Sequence, residues 1–148
     1  MPSRWASLAA AALVAAPVPT AAQQVRELGV QAIGTASDPG FLGAGVYGAW
    51  RPSRRSRISL GAAIGGAGGQ TAWRGELLAH FLLTPRARTG VGVYGGGGVA
   101  AVSGPIDQGF VVLTLGVESR PGAATGWFAE AGVGGGVRGA VGIRRRWF

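Results

Sequence analysis

Residues 71–83 have the sequence TAWRGELLAHFLL, and the alternation within this stretch decides the fold. Every second residue places an apolar side chain on one face: Trp73, Leu77, Ala79 and Phe81. The opposite face carries three polar groups and one leucine: Arg74, Glu76, Leu78 and His80. Alternate residues of a β-strand point to opposite sides, whereas a helical face repeats about every 3.6 residues. The stretch therefore predicts a long β-strand whose two faces meet different surroundings.

The same period-two pattern recurs along the rest of the chain. We predict eight strands, at about residues 25–35, 41–51, 57–66, 71–83, 90–102, 109–119, 126–134 and 137–147. Turn-forming residues separate the strands, as in SDPG at 37–40 and RPG at 120–122. Each connection is short enough for an antiparallel hairpin and too short for a crossover helix. The pattern predicts an all-β, up-and-down meander.

Composition indicates which face of each strand points outward. A soluble barrel places its apolar faces inside, and a membrane barrel places them outside. Here the polar faces are largely glycine, alanine and serine, and charged residues make up only 14% of the chain, against about 25% in an average soluble domain. Such faces fit a narrow lumen better than a wet exterior. The predicted fold class is an eight-stranded antiparallel transmembrane β-barrel, since about 9–11 tilted residues cross a bilayer.

Arginine segregates to one end of this barrel. All 14 basic residues are arginine. If successive turns alternate between the two ends, most of them fall at the end that holds the termini: Arg51, Arg54, Arg55, Arg57, Arg86, Arg88, Arg120, Arg144, Arg145 and Arg146. The opposite end receives Asp38, Asp107 and glycine-rich turns. Four tryptophans fall near strand ends, where interfacial aromatic residues are expected: Trp50, Trp73, Trp127 and Trp147. If the strand count were wrong by one, the arginines would not gather at one end and the tryptophans would not fall near strand ends. Both patterns therefore support a count of eight.

The N-terminus has the organisation of a secretory signal peptide. Arg4 supplies the positive region, and residues 6–16 form an apolar run too short to span a bilayer. Residues 20–22 are small and precede a suitable cleavage site. We therefore predict a signal peptide at 1–22 and one barrel domain at 23–148. The chain has no cysteine, which excludes a disulfide framework and a thiolate metal site.

These features together resemble the small eight-stranded outer-membrane β-barrels of bacteria, of the OmpA/OmpX type. The resemblance covers the whole of 23–148 and rests on the signal peptide, the amphipathic strands, the short turns and a last strand ending in Phe148. It implies an outer-membrane location, and it implies that Trp147 and Phe148 form a C-terminal signal for the assembly machinery. The last strand departs from the family pattern, because its apolar set is one residue out of phase with Phe148: Val137, Val141, Ile143 and Trp147.

The inward faces carry charges that need partners, because an isolated buried charge costs on the order of several kcal/mol. A lumen charge network is expected from Arg74, Glu76, His80, Glu118, Glu130 and Arg138, with Glu27 and Arg57 on the same faces. A packed set of ion pairs is the expected arrangement, and a gated ion path is the alternative. His80 is the only histidine, and Leu82 stands where lipid-deacylating barrels have a serine two residues after theirs. We therefore expect no catalytic site, no metal and no cofactor.

The sequence favours a structural or interaction role in the outer membrane, without catalysis. The alternatives are a small pore or ligand carrier on the same barrel, and a soluble secreted barrel of lipocalin-like shape. The expected partners are outer-membrane lipid, the assembly machinery and periplasmic chaperones, and the barrel is expected to be a monomer. Nucleic acid is not an expected partner, because the basic runs at 54–57 and 144–146 lack an accessible groove with interleaved aromatic residues.

Cleavage between Ala22 and Gln23 is the first testable prediction. The exported protein is expected to begin at Gln23, intact or cyclised, because small residues precede that bond. Mass spectrometry of protein recovered from the membrane fraction measures this N-terminus directly. Exported protein that retains residues 1–22 would contradict the signal peptide.

Overall fold

A computed structural model describes residues 24–148, and these residues form an all-β barrel. Its strands are β1 (Val25–Ala36), β2 (Phe41–Arg51), β3 (Ser56–Ala67), β4 (Gln70–Leu82), β5 (Val91–Ser103), β6 (Gln108–Ser119), β7 (Thr125–Val133) and β8 (Val137–Trp147). Every strand predicted from the alternation is present, and each strand end lies within one residue of its predicted position. The predicted signal peptide at 1–22 lies outside the described residues.

The barrel closes by pairing its first strand with its last. Each strand is antiparallel to its neighbours along the chain, and β1 pairs with both β2 and β8. Gly29 of β1 shows the closure, because it lies opposite Tyr47 of β2 and Arg144 of β8. Among residues 24–148 closure leaves no free sheet edge, which is the condition for placing backbone amides in hydrocarbon. The predicted eight-stranded antiparallel up-and-down barrel is confirmed.

The connections divide the barrel into two chemically different ends. At the end that holds Val25 and Trp147, the connections are 52–55, 83–90 and 120–124, and we call it the arginine end. The other end, which we call the glycine end, has the connections 37–40, 68–69, 104–107 and 134–136. Left-handed backbone at Gly68 and Gly69 makes the two-residue turn there. All connections at the glycine end are therefore tight, and the longest connection lies at the arginine end.

The outward positions carry a band of large apolar side chains around the barrel. The band includes Leu28, Val30, Val46, Leu60, Leu77, Val99, Leu113, Leu115, Val141 and Ile143. Leu60 and Leu115 are each 65% exposed, while the charged residues that alternate with them are buried. This arrangement is the reverse of a soluble barrel, so it argues against the lipocalin-like alternative. In the part of the chain that the structure describes, no helix is long and apolar enough to cross a membrane.

The structure also gives the register of β6, which is apolar on both faces and could not be oriented from its sequence. Val112, Thr114 and Glu118 point into the lumen and are buried. Leu113 and Leu115 point outward and are exposed. Val112 faces inward because it packs against Leu78 and Ala100 in a small apolar cluster.

Large aromatic rings fit inside the narrow lumen because each lies against a glycine of the next strand. The three opposed pairs are Tyr47 with Gly29, Tyr94 with Gly116, and Phe128 with Gly142. A Cβ atom added at Gly29 would lie 2.6 Å from the Tyr47 ring, and one at Gly142 would lie 2.6 Å from the Phe128 ring. Real Cβ atoms do not approach so closely, so these positions require glycine for close packing.

A charge placed in the middle of the apolar band is expected to destabilise the barrel. Leu60 and Leu77 are directly opposed on β3 and β4, away from both ends. Leu60→Arg and Leu77→Arg should each cost about 2–4 kcal/mol, because the guanidinium group would lie in hydrocarbon. Urea unfolding of the protein refolded in lipid vesicles measures this cost.

Leu42→Arg is the matched control for this prediction. Leu42 is equally apolar and is exposed on the same outer surface, but it lies one residue from the start of β2 at the glycine end. Arginine near the interface costs only about 0–1 kcal/mol. Equal midpoints for Leu60→Arg and Leu42→Arg would mean that lipid does not cover the band.

Candidate functional site

The lumen holds most of the chain's acidic side chains. Of the six acidic residues, four point inward: Glu27, Glu76, Glu118 and Glu130. Their side chains are at most 6% exposed. They divide into two groups along the barrel, and each group is surrounded by arginine.

The first group, which we call the arginine-end cluster, consists of Glu27, Glu118, Arg51, Arg57, Arg144 and Arg146. Four guanidinium groups lie within 4 Å of the Glu27 carboxylate: Arg51 at 2.7 Å, Arg146 at 2.9 Å, Arg144 at 3.5 Å and Arg57 at 3.8 Å. The Tyr47 hydroxyl also donates a hydrogen bond to Glu27, at 3.0 Å. The carboxylate is therefore saturated with donors.

The Glu118 carboxylate binds the same four arginines from the opposite wall. Arg51, Arg57 and Arg146 each lie 3.1 Å from it, and Arg144 also donates to it. The cluster thus contains four formal positive charges and two negative ones. Two buried guanidinium nitrogens in it, Arg57 Nε and Arg144 Nε, have no hydrogen-bond partner. The cluster connects β1, β2, β3, β6 and β8 across the lumen and keeps an excess of positive charge.

The second group, the distal cluster, consists of Arg74, Glu76, His80, Glu130 and Arg138. Arg138 donates to both oxygens of Glu76, at 2.9 and 2.6 Å, and its Nη1 lies 3.0 Å from Glu130. Arg74 donates to Glu76 at 2.9 Å and to the Gly134 carbonyl at 3.0 Å. Two arginines and two glutamates balance one another in this cluster, in contrast with the arginine-end cluster.

Tyr94 joins the two clusters. Its hydroxyl donates to Glu130 at 2.9 Å, and the Arg57 guanidinium lies 4.1 Å from its ring centroid, which is cation–π geometry. The His80 ring packs edge-on against Tyr94 at 5.1 Å, and its Nε2 lies 3.5 Å from Glu130. Neither ring nitrogen of His80 has a hydrogen-bond partner.

Side chains fill the lumen between the clusters. The cavity there has a volume of about 20 Å³ and is lined by Tyr47, Ser59 and His80 among others. That volume is about enough for one water molecule. Larger spaces lie toward the ends, with about 150 Å³ at the glycine end and about 1350 Å³ at the arginine end. The middle of the barrel is therefore a packed plug.

The structure brings together five of the six residues expected in the lumen network. Glu118 lies instead in the arginine-end cluster. The sequence analysis left Arg51, Arg144 and Arg146 out of the lumen set, because they were assigned to the turns at the end. For β8 the signal was present, since outward Ile143, Arg145 and Trp147 require the alternating Arg144 and Arg146 to face inward.

The interfacial tryptophans all lie on the outer surface, and each is at least 40% exposed: Trp50, Trp73, Trp127 and Trp147. Trp147 is the last residue of β8, and Phe148 follows it as an exposed residue outside the strand. The role of this pair as an assembly signal stays a prediction. Within residues 24–148, no group of three His, Cys, Asp or Glu side chains could hold a metal ion.

Removal of one carboxylate from a cluster is expected to destabilise the barrel strongly. Glu76→Gln should cost about 3–5 kcal/mol, because it leaves buried arginines without their counter-charge. Glu118→Gln should cost at least as much, since four arginines would then share Glu27 alone. Urea unfolding in lipid vesicles measures both variants.

Two further variants distinguish the loss of a buried counter-charge from an unspecific loss of stability. Asp38→Asn removes an acid from an exposed turn and should leave the unfolding midpoint unchanged. Glu76→Gln with Arg74→Gln removes one charge of each sign and should recover part of the loss. A wild-type midpoint for both Glu76→Gln and Glu118→Gln would show that the lumen is wet and the charges are screened.

Comparison with known proteins gives matches among solved structures. No protein-family model and no curated protein sequence matches the chain. Among solved structures, it is similar to the N-terminal β-barrel domain of OprF from Pseudomonas aeruginosa, with a TM-score of 0.61 and 10% identity over 82% of this chain and 97% of that one.

Two more structures are similar at the same level. The outer-membrane protein OprG from Pseudomonas aeruginosa matches with a TM-score of 0.57 and 10% identity, over 84% of this chain and 95% of that one. Neisserial surface protein A matches with a TM-score of 0.52 and 11% identity, over 84% and 96%. The chain therefore has the fold of the eight-stranded bacterial outer-membrane β-barrels.

Proposed function

We propose that the protein is an integral outer-membrane barrel with a structural or interaction role and no catalysis. One observation carries the proposal: the barrel is apolar outside and charged inside. A surface on which Leu60, Leu113 and Leu115 are each at least 60% exposed is unstable in water and stable in lipid. The tryptophans near the strand ends support the same location, because indole rings favour the two membrane interfaces.

The packed lumen supports a role without conduction. A passing ion would have to displace Arg138 from two glutamates and Tyr94 from Glu130 in the distal cluster. The space between the clusters is about 20 Å³, which holds one water and not a hydrated ion. A small pore is the alternative, and it would require these ion pairs to open.

The surroundings of His80 support the absence of catalysis. Ser59 on the adjacent strand lines the same small cavity, which the sequence analysis did not foresee. Both ring nitrogens of His80 lack a partner, so no Ser59–His80 hydrogen bond exists to activate a nucleophile. The cavity also has no room for a substrate beside these side chains.

The short turns at the glycine end favour a structural role over recognition by long loops. Connections of two to four residues present little more than backbone and a few small side chains. The partners of the protein are then outer-membrane lipid around the barrel and, during biogenesis, the assembly machinery and periplasmic chaperones. A monomer fits this role, because the pairing of β1 with β8 completes the sheet within one chain.

Membrane fractionation with heat-dependent gel mobility tests the location. The folded barrel should be in the outer-membrane fraction and should migrate differently before and after boiling, because closed barrels resist unfolding by detergent. Recovery as a soluble protein in the absence of detergent would refute the proposal.

Planar-bilayer recording tests the plug. The refolded wild type should show no conductance steps, whereas Glu76→Ala combined with Arg138→Ala should open a leak, because it removes the ion pair that fills the lumen. Asp107→Ala, in an exposed turn, serves as the control and should stay silent. Regular steps from the wild type would favour the pore instead.

A further inference from the structure

A wide vestibule opens at the arginine end of the barrel. It has a volume of about 1350 Å³ and is formed by the three connections of that end. Six arginines line it: Arg51, Arg54, Arg55, Arg86, Arg88 and Arg120. Within the described residues, no aspartate or glutamate lines it. The vestibule is thus a concave, water-accessible surface whose charged side chains are all positive.

The chain has no acidic side chain left to neutralise this surface. Glu27 and Glu118 are each within 4 Å of four arginines of the arginine-end cluster beneath it. The remaining two lumen glutamates belong to the distal cluster, and the two aspartates lie in turns at the glycine end. All six acids of the chain are accounted for in this way.

The floor of the vestibule adds to its positive potential. Arg51 belongs to both regions, since it lines the vestibule and donates to Glu27 at 2.8 Å and to Glu118 at 3.1 Å. Together with Arg51, the three arginines below it face only two carboxylates. Low-dielectric walls around a cleft concentrate the electric field of the charges that line it, so the positive potential extends from the vestibule into the solvent. No aspartate or glutamate side chain of the described residues is therefore placed to neutralise the vestibule arginines, and the vestibule attracts anions from solution.

One wall of the vestibule is held in a costly conformation. Arg120 has a φ of 44°, in the left-handed region that favours glycine. The buried Arg146 guanidinium holds this turn by donating to the carbonyls of Arg120, Pro121 and Ala123, at 2.8–3.2 Å. Glycine would relieve the backbone strain, yet the chain places a cation there. The turn that carries Arg120 is therefore fixed in place at the rim of the vestibule by a lumen arginine.

We infer that the vestibule is a binding site for a multivalent phosphate-bearing anion. Arginine forks bind phosphate oxygens in pairs, and six of them across three connections match several anionic groups better than one. The ligand is a soluble polyphosphate compound or the phosphate headgroups of anionic lipid, which share this chemistry. This site is separate from the structural role proposed above, because it depends on the turns and not on the packed lumen.

Calorimetric titration of the refolded barrel in uncharged detergent tests the site. The probe is tripolyphosphate, with inorganic phosphate as the monomeric comparison. The wild type should bind one tripolyphosphate saturably, much more tightly than phosphate, and more weakly as salt is raised. Arg86→Gln with Arg88→Gln should weaken binding by about tenfold or more, because two charge-assisted contacts are lost.

Arg26→Gln with Arg145→Gln is the matched control. Both residues lie at the arginine end and are exposed, but they point outward and do not line the vestibule. This pair removes the same charge and should change the affinity by less than about twofold, since exposed charges outside the site are screened. An equal loss in the control, or the absence of saturable binding in the wild type, would overturn the inference.

Arg120→Gly separates binding from folding. It removes one vestibule charge and relieves the left-handed backbone, so binding should weaken while the urea midpoint stays at or above that of the wild type. Binding unchanged in this variant and in Arg86→Gln with Arg88→Gln would also overturn the site. Gel mobility before and after boiling confirms that each variant is a folded barrel, so failure of the site is distinguishable from failure of the fold.

Native mass spectrometry distinguishes the two sources of the anion. The barrel is extracted from vesicles of phosphatidylcholine with phosphatidylglycerol, and the retained lipids are counted. Retention of phosphatidylglycerol that is lost in Arg86→Gln with Arg88→Gln, but kept in the control pair, identifies a lipid headgroup as the ligand. Tripolyphosphate binding without such retention identifies a soluble phosphate compound.

Discussion

The interaction on which the rest of the structure depends is the sharing of two carboxylates by four arginines inside the barrel. Glu27 and Glu118 lie on strands far apart in the chain, and the guanidinium groups between them connect both walls of the lumen. A buried charge without a partner is costly, so this cluster can form only when the barrel is closed. The ion pairs and the closure therefore stabilise each other, while the apolar exterior is left for lipid.

A second constraint is space. An eight-stranded barrel leaves a lumen just wide enough for side chains, and here that lumen must hold six arginines, Phe41 and the three aromatic rings that face glycine. Glycine opposite each ring provides the room, as Gly116 does for Tyr94. These glycines are thus a consequence of filling the lumen with large groups, and the result is a plug with little free volume at its centre.

The two charge clusters differ in a way that bears on function. The formal charges of the distal cluster cancel, and its ion pairs fill the lumen and connect its walls. The arginine-end cluster has an excess of positive charge, and the vestibule above it adds further arginines without acids. The glycine end therefore combines a balanced cluster with tight turns that carry two aspartates, whereas the arginine end attracts anions. Arg120 connects the two regions, because its side chain lines the vestibule and its backbone carbonyl accepts a hydrogen bond from Arg146 in the lumen.

The sequence by itself determined the strands and their faces. Period-two alternation is a local property, so it located every strand end to within one residue and placed residues such as Glu76 and Arg138 in the lumen. The alternation in β8 also predicts that Arg144 and Arg146 face inward. They were missed because they lie in a basic run that was assigned to the end of the barrel. In β6 the sequence placed Glu118 in the lumen, but residues 110–117 are apolar on both faces, and the inward packing of Val112 shows their orientation.

The tertiary structure alone decided which charges meet. Alternation tells which face a side chain occupies, but it does not tell its height or its position around the barrel. Arg146 reaches Glu27 across 119 residues of chain, because β1 and β8 close the sheet with a particular stagger. The same closure gathers three separate turns around one vestibule. Contacts of this kind depend on the shape of the whole barrel, and no local pattern encodes them.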